Sequence, residues 1–135
     1  MKDPNRLLPA ITLLCSLPAM VHAEMRLVSG QDVNEFVNAR SWNYYSIDAQ
    51  AHHAVLDVRL WGATGDVDLY VGQDRLPTST DHDCSSTLRR LANESCVLTI
   101  DRPARWYIGV FGYNFGNYRV TATLTGDEPG DHPGY

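Results

Sequence analysis

Gly65-Asp66-Val67-Asp68-Leu69-Tyr70-Val71 decides the fold class of this 135-residue chain. Val67, Leu69 and Val71 alternate with Asp66, Asp68 and Tyr70, so a strand here sends one set to a core and the other outward. The same period of two recurs on both sides. From His53 to Trp61, Ala54, Leu56, Val58 and Leu60 oppose Val55, Asp57, Arg59 and Trp61. Downstream, Trp106, Ile108 and Val110 share one face, and Tyr118, Val120, Ala122 and Leu124 share another. Ser41 to Ala49 reads as a further strand rich in aromatics, and Val97 to Ile100 as a short one. Gly62 to Gly65 and Gly112 to Asn117 have the glycine content of hairpin loops joining neighbours. Asp32 to Asn38 and Ser86 to Ala92 alone have the pattern for a turn or two of helix. Short alternating strands separated by turn residues predict an all-β protein, a single jelly-roll-like β-sandwich.

The two ends read differently from the middle. Lys2 and Arg6 precede an apolar stretch from Leu7 to Val21, and Val21-His22-Ala23 supplies compact residues for a signal peptidase, so residues 1–23 are predicted to be a secretory signal. The apolar run is broken by Pro9 and Pro18 and falls short of the roughly 20 residues that span a bilayer. A lipid-modified Cys15 is the rival reading; Leu14 before it is bulkier than that processing accepts. The expected location is secreted or periplasmic. Residues 24–125 are predicted to form the domain, and 126–135, with two prolines, three glycines and three acidic residues, a disordered tail. Without residues 1–23 the chain keeps 9 basic and 15 acidic residues and no lysine. Such a surface argues against nucleic acid and anionic membranes, which need clustered basic side chains.

Signal removal also takes Cys15 and leaves Cys84 and Cys96. An even pair in an exported chain predicts a disulfide, worth on the order of 3 kcal/mol for a loop of about a dozen residues. Zinc is the competing use of two cysteines, weakened here by the lack of any Cys-x-x-Cys pair.

Taken in order, Gly65 to Val71, Pro77-Thr78, Asp83-Cys84, Glu94-Ser95-Cys96 and Trp106-Tyr107-Ile108-Gly109-Val110-Phe111-Gly112-Tyr113 resemble the bacterial pre-peptidase C-terminal domain. Trp42 to Ile47 matches that family's early aromatic strand, and the resemblance spans roughly Leu27 to Leu124. It implies a β-sandwich of the kind appended to secreted proteases, acting without catalysis of its own. Collagen-binding relatives carry a Glu-Pro-Asn-Asp calcium segment before the first strand. Glu24-Met25-Arg26-Leu27 stands in that region, so their calcium site does not carry over.

Asp66, Asp68, Asp81 and Asp83 are the candidate ligands for calcium, which takes several carboxylate oxygens around one point. Their other reading is structural, with turn carboxylates accepting backbone N–H groups. His52-His53 and Asp81-His82-Asp83 invite a transition-metal or acid–base role, but neighbours on a strand point to opposite faces. No Gly-x-Ser-x-Gly elbow or His-Glu-x-x-His pair is present, so an enzyme is not expected. Aromatics carry the functional signal. The alternation turns Tyr107, Phe111 and Tyr113 outward, and likewise Trp61 and Tyr70 on their own strands. An outer face bearing these five rings would grip an extracellular protein or polysaccharide; a covering loop would remove it. The alternative roles are chaperone or inhibitor of an exported protease, and a calcium-stabilised structural module.

Overall fold

The computed structural model describes residues 23–127. The predicted signal, apart from Ala23, and the tail beyond Asp127 lie outside the described residues. The described residues form nine strands: β1 (Glu24–Arg26), β2 (Asp32–Val37), β3 (Trp42–Ala49), β4 (Ala54–Trp61), β5 (Val67–Gln73), β6 (Cys84–Ser86), β7 (Glu94–Ile100), β8 (Ala104–Gly112) and β9 (Gly116–Thr125). They form two sheets packed as a sandwich. The first has the order β1-β3-β8-β5-β6 and the second β2-β9-β4-β7.

The alternation seen in the sequence fills the space between the sheets. Val67, Leu69 and Val71 from β5 and Ile108 and Val110 from β8 face Leu56, Val58 and Leu60 from β4 and Val120 and Ala122 from β9, all buried. Burying each Leu, Ile or Val stabilises the fold by roughly 1.5–3 kcal/mol. Two tyrosines also enter this core. Their hydroxyls, Tyr45 on β3 and Tyr118 on β9, hydrogen-bond at 2.5 Å, and the Asn43 amide donates to Tyr118 at 2.8 Å, so neither phenol is stranded.

Connectivity departs from the sequence reading at several points. Asp32–Val37 is not helical: it pairs along its whole length with β9, Val33 opposite Val120 and Val37 opposite Gly116. Residues 86–92 contain no helix either. Gly62–Gly65 and Gly112–Asn117 are not hairpin loops, because β4 and β9 belong to the second sheet and β5 and β8 to the first. β5 and β6 are the one consecutive pair that hydrogen-bonds within a sheet; every other connection carries the chain from one sheet to the other.

The two glycine loops cross each other in contact. Thr64 N–H donates to Asn117 O at 3.0 Å, and Asn117 N–H to Thr64 Oγ1 at 2.9 Å. A Cβ on Gly65 would stand 2.2 Å from Phe115 O, and one on Gly116 would stand 2.6 Å from Gly65 N, so the crossing closes because both residues lack side chains. Along one side of the sandwich, Cys84 of β6 and Cys96 of β7 form the disulfide with Cα atoms 6.0 Å apart, joining the two sheets. At the C-terminal end, Asp127 Oδ1 accepts the backbone N–H groups of Gln50 and Ala51, both at 2.7 Å.

Candidate docking face

β3, β8 and β5 lie side by side in the first sheet, and their register builds the outer face in rows. Trp42 pairs with Phe111 and Phe111 with Asp68; Tyr44 with Gly109 and Gly109 with Tyr70; Ser46 with Tyr107 and Tyr107 with Gly72. Gly109 leaves the middle of the face without a side chain, and the Trp42 indole takes that space. A Cβ there would meet the indole at 2.9 Å and the Tyr44 ring at 3.1 Å. Trp42 lies parallel to Tyr44, with centroids 5.6 Å apart, and tilts against Tyr70 at 5.2 Å and Phe111 at 5.0 Å. Four rings therefore form one cluster around a glycine.

The segment joining β5 to β6 folds over part of this cluster. Tyr44 OH donates to Pro77 O at 3.1 Å, and the His82 ring sits edge-on to Tyr70 at 5.3 Å. Arg75 holds the loop in shape, with contacts of 2.9 Å to both Asp81 and Asp83. Asp83 also accepts Gln73 N–H at 2.6 Å, and Thr78 Oγ1 accepts Asp81 N–H at 3.0 Å.

The five rings predicted to form one binding face do not do so. Tyr107 and Phe111 share the outer face and are half-buried. Tyr70 is on that face but 7% exposed, because Trp42 and His82 pack on its ring. Burial also raises its hydroxyl pKa above the ordinary tyrosine value. Trp61 belongs to the second sheet, on the opposite side of the sandwich, with the Arg119 guanidinium 4.8 Å from its ring centre. Tyr113 is exposed in the β8–β9 connection, with Arg40 4.2 Å from its ring centre. Sequence reasoning missed Trp42, which alternation on β3 could have placed outward. It also missed Phe36 and Phe115, exposed rings 6.3 Å apart at one end of the sandwich.

The four candidate calcium ligands likewise separate into two pairs. Asp81 and Asp83 are engaged by Arg75 at the C-terminal end of β5, whereas Asp66 and Asp68 flank its N-terminal end. Asp68 and Gln73, whose N–H binds Asp83, are five positions apart on one strand, roughly 16 Å. Among the described residues no group of three or more His, Cys, Asp or Glu side chains is placed to hold a metal ion. Asp68 instead has a carboxyl pushed up to about 6, by burial first and then by the negative charges of Asp66 and Glu94. Glu94 is buried and its carboxyl is also raised by burial, against the pull of the hydrogen bonds it accepts from the Ser86 hydroxyl and, at 2.7 Å, Leu88 N–H. It thereby shapes the disulfide-closed loop. His52 and His82 hydrogen-bond through Nδ1 to the carbonyls of Asp101 and Thr78, at 3.1 and 3.0 Å.

Comparison with known proteins fits this architecture. No protein-family model matches the chain. Among solved structures, the pre-peptidase C-terminal domain of a collagenase from Bacillus anthracis superposes with a TM-score of 0.57 at 9% identity, over 76% of this chain and 96% of that domain. The chain has the fold of a pre-peptidase C-terminal domain. As a pre-peptidase C-terminal-like domain it also superposes on a periplasmic inhibitor of g-type lysozyme from Aeromonas hydrophila, with a TM-score of 0.57 at 6% identity over 76% of this chain and 96% of that one. In sequence, 80 residues, 58% of the chain, are 31% identical to alkaline serine exoprotease A of Vibrio alginolyticus. The chain spans 15% of that enzyme's length. Among the described residues no helix is long and apolar enough to cross a membrane.

Proposed function

We propose that this pre-peptidase C-terminal-like domain is an exported, non-catalytic binding module that holds an extended polymer, polypeptide or polysaccharide, across the outer face of its first sheet. The observation that carries this reading is the half-buried surface of Trp42, Phe111 and Tyr107 above Gly109. Aromatic rings bury large areas on contact, and each is worth most when it is already fixed. Trp42 is braced on three sides by Tyr44, Tyr70 and Phe111, so docking costs it little rotamer freedom. Cys84 and Cys96 are bonded to each other, which supports a module that uses no cysteine nucleophile.

Retention of the full chain on fibrous protein, cellulose and chitin tests the reading. Trp42→Ala and Phe111→Ala should lower retention on the preferred polymer at least tenfold, while Trp61→Ala, on the other sheet, leaves it unchanged. Retention by all three variants equal to that of the unaltered chain would overturn the proposal. The alignment with a serine exoprotease favours a second reading, in which the partner is an exported protease. Recovery of a protease in fixed ratio with this chain from culture supernatant or periplasm would establish it.

A further inference from the structure

The four outermost strands of the sandwich are not protected alike. β1 and β6 are three residues each, and β1 carries Glu24 and Arg26. β2 carries Asp32 and Glu35, and its Phe36 carbonyl is already taken by the Asn43 amide at 2.8 Å. β7 differs. It runs for seven residues, pairs among the described strands with β4 alone, and has no proline, lysine or arginine. Its single charged residue, Glu94, is buried; Ser95, Val97 and Thr99 are exposed, Val97 to 65%. Among the described residues, no loop or side chain hydrogen-bonds to the outer backbone groups between Ser95 and Thr99. Soluble proteins usually blunt so long an edge with charge, proline or a cover.

A second feature adjoins the same edge. On the outer face of the second sheet, beside the start of β7, lies a cavity of about 400 Å³ whose wall includes Trp61, Asp57, Arg59, Glu94, Ser95 and Val97. Asp57 and Arg59 pair at 3.0 Å, and the carboxylate of Glu94 is buried and taken by the Ser86 hydroxyl and Leu88 N–H, so the wall offers no free charge. Ser95 both lines the cavity and lies on β7, so a long side chain from a strand laid along β7 can lean across its small hydroxymethyl group.

We propose that the free edge of β7 is a strand-addition site for an extended, uncharged polypeptide segment, one bulky side chain of which seats in the cavity beside Trp61. Unpaired N–H and C=O groups repeating along a strand are matched by another extended backbone, which supplies affinity, while the flanking cavity selects a side chain. Neutral walls favour an uncharged segment over an acidic or basic one. A second copy fits less well. Two β7 edges pairing about Val97 would face each other with Ser, Val and Thr side chains, too short to fill the cavity. This site is on the opposite side of the sandwich from Trp42 and Phe111, so it stands whether or not the outer face of the first sheet binds a polymer.

A random seven-residue peptide library selected against the full chain, followed by titration of one recovered uncharged peptide, tests the site. Val97→Lys puts a charge on the edge, and Ser95→Trp fills the cavity from within; circular dichroism verifies that both fold. The expected result is binding that weakens at least tenfold in each variant and is unchanged in Trp42→Ala, with slowed amide exchange in Ser95 to Thr99 on addition of peptide. Three results would overturn the proposal: no peptide enriched over a selection against Val97→Lys, equal affinity in all variants, or a concentration-dependent dimer of the unaltered chain that Val97→Lys abolishes.

Discussion

Asp68 leans on two neighbouring negative charges in a partly buried place, and this sets the pH response of the domain. Its carboxyl is raised to about 6, through burial and the charges of Asp66 and Glu94, and that of Glu94 is raised as well. The folded form therefore binds these protons more tightly than the unfolded chain does. For Asp68, stability is fully present below the unfolded value near 4 and is lost as pH rises through about 6. Because the group is only partly buried, solvent screening reduces the effect to about 1–2 kcal/mol. Melting temperature should fall between pH 4.5 and 7.5, and Asp68→Asn should flatten that slope and raise stability at pH 7.5. An identical slope in the variant would exclude Asp68 as the source. Asp74 acts the other way: Arg102 and the Arg105 N–H hold its carboxyl low, so its contribution is lost only in stronger acid.

At the level of strands, side-chain alternation was legible and strand partnership was not. Leu56, Val58 and Leu60, or Ile108 and Val110, announce a buried face by their spacing alone, and the observed strands carry them there. Period two says which side chains share a face, but not which sheet a strand joins. The loops Gly62–Gly65 and Gly112–Asn117 looked like hairpins because a tight turn and a tight crossing both need glycine. What distinguishes them is the approach of the two loops to each other, a contact between residues some fifty positions apart. Asp32–Val37 mimics a helix because Val33, Phe36 and Val37 fall three and four apart; Phe36 is in fact exposed, and pairing with β9 decides the matter. Tyr70 and Trp61 show the same limit at the candidate site. Parity turned both outward, yet a loop covers one ring and the other belongs to the far sheet. The crossing yields a sharp expectation. Gly65→Ala drives a Cβ into the backbone at Phe115 and should cost about 3 kcal/mol, the upper range for overpacking. Ala63→Gly, a nearby change without that collision, controls for loop entropy in a denaturant titration. A Gly65→Ala loss below 1 kcal/mol would mean that the crossing relaxes freely.

For the molecule as a whole, the separation of the candidate acidic groups into two pairs predicts a melting temperature indifferent to calcium. Arg75 occupies Asp81 and Asp83, and the described residues hold no metal-binding group. A ligand bound only by the folded form must raise the apparent melting temperature, so melting in millimolar calcium and in chelator should coincide. A rise of several degrees with calcium would revive the calcium-stabilised reading.

The chain's habit of changing sheets at nearly every turn governs how the domain comes into being. Strand β9 is what joins β2 to β4, and β8 is what joins β3 to β5. Both bridging strands come after everything they bridge. Until Gly116–Thr125 is available, the second sheet is two separate pieces, and no sequence of local hairpins can stand in for it. A chain wired in this way pays loop-closure entropy before its long-range contacts form, which slows folding. It therefore cannot close its second sheet before the last of these strands arrives, so the domain is completed from its C-terminal strand backwards.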